Sequence, residues 1–256
     1  MKVSIITVAF NSATTIRDTI ESVLSQDYPQ IEYIVIDGGS TDGTLDIVKE
    51  YGPRVAKLIS EPDRGIYDAM NKGIQIITGE IIGFLNSDDM YIDSQAVSQL
   101  IAAMKSHKAD CVYADLIYVA PENTNKILRY YNSARFKPSL FQYGWMPAHP
   151  TFFAKKSAYD KAGLFSLDYK IAADFELLVR MLAVNGTSYT YLPKPIVRMR
   201  AGGVSTSGLS HSFLLNREIV KACRANGINT NLAKVLLKIP MKLMELVQGR
   251  LINRTR

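Results

Sequence analysis

Five short runs of β-branched and other apolar residues constrain this chain more than anything else in it. They are VSIITV (3–8), EYIVID (32–37), VAKLIS (55–60), IIGFL (81–85) and DCVYAD (110–115). VSIITV is continuously apolar rather than alternating, as a strand covered on both faces requires. Helix-patterned segments lie between the runs. Ile16, Ile20, Val23 and Leu24 share one helical face, with Asn11 and Ser12 as candidate N-caps. TDGTLDIVKEY, residues 66–77 and residues 92–105 supply the next three helices. Strand–helix alternation at this spacing predicts a doubly wound α/β fold, with a mixed, mainly parallel sheet and helices on both faces. Beyond 115 the pattern loosens. Strands are expected at 126–131 and 151–154, helices at 156–162, 172–185 and 208–226, and a late strand pair at YTYLP and PIVRMR.

In such sheets the ligand sits beyond the carboxyl ends of the strands. The segments there read VAFN (8–11), DGGSTDG (37–43), EPDRG (61–65) and NSDDM (86–90). None contains G-x-G-x-x-G or a P-loop, so a dinucleotide fingerprint and a P-loop NTPase are disfavoured. Acids gather there instead. Asp37 precedes two glycines that let backbone approach a ligand; its carboxylate can accept from a base or a ribose hydroxyl, or simply shape the turn. Asp88 and Asp89 suit a hard cation shared with phosphate oxygens, or alternatively a turn into the next helix. Asp174, in IAADFELLVRM, falls near a helix start, where the dipole also favours an acid.

Composition narrows the class. The chain has 256 residues, 47% hydrophobic and 21% charged, which excludes disordered and collagen-like classes. Cys111 and Cys223 form no C-x-x-C pair, so a structural zinc module is unsupported and two buried thiols are expected. The formal charge of +6 is uneven: residues 205–256 hold nine Lys and Arg against two acids, which leaves the rest nearly neutral. A general nucleic-acid surface is therefore disfavoured. The opening MKVSIITVAF is too short to span a membrane and lacks a small-residue cleavage site. A helical wheel over 231–252 places Lys234, Lys238, Lys242 and Glu245 on one face, opposite Leu232, Val235, Leu236, Leu243 and Leu246. That pattern suits an anionic membrane surface, or a helix docked on the protein; Pro240 would kink it.

The runs IITVAFN, VIDGGSTDGT, DRGIYDAMNKGI, GEIIGFLNSDDMY and AADFELLVR occur in this order. Over roughly residues 1–205 the chain resembles family 2 glycosyltransferases of the GT-A fold, of the bacterial polysaccharide (colanic-acid) type. The resemblance implies a catalytic domain at 1–205, with a nucleotide-binding half (1–115) and an acceptor half (116–205), followed by a basic helical tail (206–256). It implies that Thr7, Ala9 and Asn11 line the nucleotide pocket, that Asp37 binds the base, and that Asp68 lies near the ribose or sugar. Asn86, Ser87 and Asp88 match the D-x-D motif, with Asp88 as the ligand of Mn²⁺ or Mg²⁺. Asp174 matches the catalytic base, and GGVS (202–205) a loop near the diphosphate. The departure is Asn86, where the family usually has Asp; a neutral amide is a weaker metal ligand.

The implied reaction inverts the anomeric centre in one displacement and moves a sugar from a nucleoside-diphosphate sugar, foremost a UDP-sugar, to a lipid-linked glycan hydroxyl. The implied location is cytoplasmic, peripheral at the inner face of the plasma membrane through the tail. A sugar-nucleotide nucleotidyltransferase would need a Gly-rich loop with Arg and Lys after the first strand, and VAFNSAT lacks it. A non-catalytic nucleotide- or glycan-binding protein is the other alternative. His149, in the Pro-flanked GWMPAHPTFF, and Trp145 are candidate acceptor contacts, a hydrogen-bonded loop histidine and buried packing being the bland readings; His107 reads as surface.

Overall fold

A computed structural model describes residues 1–202 and 208–238. GGVS beyond Gly202, and the expected tail helix beyond Lys238, lie outside the described residues. The first half is laid down as β1 (Val3–Ala9), α1 (Ile16–Leu24), β2 (Ile31–Asp37), α2 (Thr44–Glu50), β3 (Lys57–Ser60), α3 (Ile66–Ile76), β4 (Ile81–Phe84), β5 (Asp89–Tyr91) and α4 (Ala96–Ser106). The second half follows as β6 (Cys111–Ala120), β7 (Asn123–Tyr131), β8 (Phe153–Lys155), α5 (Lys156–Ala162), α6 (Ala173–Leu178), β9 (Tyr189–Arg200), α7 (Gly208–Ala225) and α8 (Leu232–Leu236).

The described strands form one sheet ordered β3-β2-β1-β4-β8-β6-β9-β5, with β7 on β6. β3, β2, β1 and β4 run parallel, in registers that align Ala9 with Asp37 and Asp37 with Ser60. Their carboxyl ends therefore meet at one edge. Apolar residues of β1 and β2 alternate between two cores. Ile6, Val8, Ile34 and Ile36 join one, together with α3, α6 and α7; Ile5, Val35 and Tyr33 join the other, together with α1 and α4. Both faces of the sheet are covered, which is why these runs are apolar throughout.

Several expectations change in detail. Asn11 and Ser12 do not cap α1, which begins at Ile16 after a turn closed on the Ser12 carbonyl. The late strand pair is one strand, β9, running parallel to β6 through Pro193 and Pro195. A register shift at Asp115 absorbs the prolines, which cannot donate to a ladder. The helix expected at 172–185 is α6 continued by a π-helical turn over Val179–Val184. The strand expected at 151–154 starts after a 3₁₀ turn at His149–Thr151.

The described start of the tail does not present a solvated lysine face. Val235 is fully buried and Lys238 is 6% exposed, while Leu232 and Leu236 are outward. Packing of Val235 sets the rotation of α8, and Lys234 Nζ donates to Gln142 Oε1 at 3.3 Å. Cys111 and Cys223 are buried and free, as expected, and burial raises both thiols' pKa values, Cys223 to about 11.

Candidate active site

The strand-end loops are stitched to one another by side chains. Asn11 adopts φ 48°, a left-handed conformation that asparagine tolerates better than most residues. There its N–H donates to Ser40 Oγ at 2.8 Å, and its Oδ1 accepts from Thr41 N at 2.9 Å. Ser12 N donates to Thr44 Oγ1 (2.7 Å), and Ala13 N to Asp42 Oδ2 (2.9 Å). Ser12 Oγ lies 2.7 Å from Ser87 Oγ, which ties in the loop after β4.

Asp37 is fully buried at the centre of this edge. Its carboxylate accepts from Gly39 N, Ser40 N, Ser40 Oγ and Ser60 Oγ. The turn-shaping role is therefore real, whatever else Asp37 contacts. The backbone approaches closely here: a Cβ on Gly38 would lie 2.4 Å from Asp63 Oδ2. Ala9 is buried. Thr7 is 0% exposed and its hydroxyl accepts from Tyr33 at 3.1 Å. Its side chain thus packs in the core, on a strand that is covered on both faces. Asp68 accepts from Arg64 N and Arg64 Nη2, both at 3.0 Å, and these bonds hold its pKa below the usual value.

After β4 the oxygen atoms are less well satisfied. Asn86 Oδ1 and Asp89 Oδ1 are buried with no partner among the described residues. Burial pushes the Asp88 carboxyl up, and pushes Asp89 well up, with the neighbouring Asp88 charge adding to the latter. Orphaned carboxylate and amide oxygens are the donor chemistry a hard divalent cation takes, so these residues fit Mn²⁺ or Mg²⁺. Among the described residues no three His, Cys, Asp or Glu side chains converge on one point. The loop is braced by Arg200, at the end of β9, which donates to the Asp88 carbonyl at 2.9 Å and pairs with Asp18.

Asp174 occupies the start of α6, in a cleft of about 190 Å³ that it shares with His149, Trp145, Arg129, Met199 and Lys238. Desolvation raises its carboxyl pKa, against the opposing pull of His149 and hydrogen bonds from Phe175 N (2.8 Å) and Tyr67 Oη (3.3 Å). His149 is 8% exposed, stacked on Phe84 with ring centroids 5.8 Å apart, and its pKa is lowered by burial. Trp145 tilts against Tyr131 at 6.4 Å. Met199, which lines the cleft, lies on β9 opposite Asp89 of β5. Asp174, His149 and Trp145 are thus brought together in one cleft, whose lining does not include Asn86, Ser87 or Asp88. Asn11 and Asp37 belong to the strand-end network, and Asp68 turns to Arg64. The sequence reading did not single out Tyr67, Arg200 or Glu218. Tyr67 stood in a quoted motif, whereas nothing local marks Arg200 or Glu218.

Comparison with known proteins identifies the family and the fold. Residues 4–164 match the protein family described as glycosyl transferase family 2. A PGL/p-HBAD biosynthesis glycosyltransferase of Mycobacterium bovis is 27% identical over 216 residues, 82% of each chain. S. aureus TarS (residues 1–349), solved with UDP-GlcNAc, superposes with a TM-score of 0.67 at 21% identity, over 90% of this chain and 68% of that one. Against a longer TarS chain the match spans 41% of that chain. The mannosyltransferase PcManGT of Pyrobaculum calidifontis, solved with GDP-Man and Mn²⁺, gives 0.68 at 20% identity, over 97% and 73%. The two solved structures share the GT-A fold expected from the motifs, and with a family match over most of its length the chain belongs to glycosyltransferase family 2.

Proposed function

We propose that this glycosyltransferase moves a sugar from a UDP-sugar to a glycan hydroxyl with inversion, and that Asp174 is its catalytic base. The observation that carries the reading is the Asp174 carboxyl: buried, raised in pKa, and set in a cleft with His149 and Trp145. A base with a pKa nearer neutrality than an ordinary carboxylate transfers protons more effectively. Asp174 takes the proton of the acceptor hydroxyl as that oxygen bonds to the anomeric carbon. The bond from that carbon to the diphosphate breaks, and the diphosphate leaves with the electron pair. His149, held neutral by burial, and Trp145 offer the acceptor a polar contact and an apolar ring face.

On the donor side, Asp37 and Asn11 hold the loops that would receive the nucleoside, and Asp88 with Asn86 would hold Mn²⁺ or Mg²⁺. A divalent cation bound there would offset charge on the diphosphate. The nucleotide sugars named with TarS and PcManGT, and the Mn²⁺ of the latter, support a nucleotide-sugar donor with a metal. A lipid-linked acceptor at the cytoplasmic membrane face is supported by the basic tail and by outward Leu232, Leu236 and Leu237. Among the described residues no helix is long and apolar enough to cross a membrane.

The test is thermal stabilisation by UDP, GDP, dTDP, CMP and NAD, each with and without Mn²⁺. A ligand at about 100 times its Kd adds roughly 2.7 kcal/mol, about 5–10 °C for a chain of this size. The expected result is a Mn²⁺-dependent shift with UDP. A shift with NAD alone, or none with any nucleotide, contradicts the reading.

A further inference from the structure

The N–H groups leading into a helix have no acceptor within it and must find one elsewhere. Ala172 stands at the N-cap of α6 with no side-chain cap of its own. The acceptor comes from 46 residues further on. Glu218 of α7, 7% exposed, accepts from Lys170 N through one oxygen and from Ile171 N and Ala172 N through the other, all at 2.9 Å. Hydrogen bonds to a charged carboxylate are shorter and stronger than neutral ones. From the opposite side Tyr67 Oη donates to the Ile171 carbonyl and lies 3.3 Å from Asp174 Oδ1. The peptide two residues ahead of Asp174 is thus gripped on both edges. A second tie, Asn226 Nδ2 to Glu176 Oε1 at 3.2 Å, joins the far end of α7 to α6.

We propose that Glu218 is a positioning residue for Asp174: from α7 it holds the Lys170–Ala172 turn and so fixes where the Asp174 carboxylate stands in the cleft. The proposal deepens the reading of Asp174 as the base and rests on it for its functional meaning. It makes α7 part of the catalytic apparatus rather than an appendage. Misplacing a catalytic group by about 1 Å costs on the order of a hundredfold in rate, so loosening this turn slows turnover without touching the donor site.

The experiment is a ¹³C-carboxyl NMR titration of the full chain, with the Asp174 resonance assigned through Asp174→Asn. Glu218→Gln is isosteric and keeps only one accepting oxygen; Glu218→Ala removes all three bonds, and should it fail to fold, the Gln variant carries the test. Groups facing Asp174 from other elements are unaltered: Tyr67 from α3, His149 from its 3₁₀ turn, and Arg129 and Lys238 across the cleft. Because desolvation leads the rise in the Asp174 pKa, a loosened turn admits water. The Asp174 midpoint is then expected to fall toward the ordinary carboxylate value. The titration of the distant Glu32 should stay as in wild type, even though the lost buried hydrogen bonds lower the melting temperature. An Asp174 midpoint unchanged in Glu218→Gln overturns the proposal. So does a shift shared by Glu32, which makes Glu218 a general structural residue. The readout needs no turnover. An active Asp174→Asn would remove the base assignment and leave the titration standing, whereas an unmoved titration would remove the clamp and leave the base.

Discussion

At the scale of single residues, buried carboxylates in this protein have opposite fates, set by what reaches them. Glu32 is 4% exposed on β2, and burial alone would raise its pKa. Hydrogen bonds from Ser4 Oγ (2.6 Å), Thr78 N and Thr78 Oγ1 (2.7 Å each), with the Lys2 charge, outweigh burial and hold it at about 2. Its folded pKa is below the unfolded value, so its stabilisation is present above about pH 4.5 and is lost as the pH falls toward 2. Glu32→Gln is expected to cost about 2–3 kcal/mol at pH 7 and almost nothing at pH 2, read from urea unfolding at the two pH values. Asp174 receives fewer bonds and its pKa goes up. Activity that depends on its ionised form is therefore lost on the acid side at a pH above the ordinary carboxylate range, the opposite placement from Glu32.

At the scale of elements, close packing decides what is tolerated. β8 lies antiparallel to β4 with Gly83 opposite Phe153, and a Cβ on Gly83 would stand 2.4 Å from the Phe153 ring. Phe153 is fully buried and has nowhere to retreat. Gly83→Ala is expected to destabilise by about 1–3 kcal/mol through overpacking, which a thermal melt reads as a drop of several degrees. The strands of the first half were legible because their apolar runs and the turn residues after them act locally. β5 was not: three residues carry no period, and the strand exists because Asp89–Tyr91 finds β9 more than a hundred residues later. The single β9 was read as two for a related reason. Two prolines argue for a break, and only the bulge of β9 against β6, opposite Asp115, shows how the strand continues past them.

At the scale of the whole molecule, the site is assembled from distant chain segments. Asp37, Asn86, Asp88 and Asp174 could be singled out because each sits in a motif or at a strand end. Their supports could not. Arg200 braces the loop after β4 from the end of β9, and Glu218 reaches the turn before α6 from α7. No local pattern marks either residue, since long-range contacts choose them. The burial of Thr7 against Tyr33 was equally illegible, because the motif around it does not say which face of β1 the side chain takes. α7 and α8 contribute Ile219, Ala222, Cys223 and Val235 to the core that also holds α6, so these two helices are packed with the element that carries Asp174. The central claim is that the Asp174 carboxylate takes the acceptor proton. The most direct measurement is turnover of Asp174→Asn, read as release of nucleoside diphosphate from the donor selected by the nucleotide panel, alongside its affinity for that nucleotide. The account predicts a loss of roughly 10²–10⁴-fold in kcat with nucleotide affinity unchanged and the fold intact. Wild-type turnover in a folded Asp174→Asn protein would contradict it.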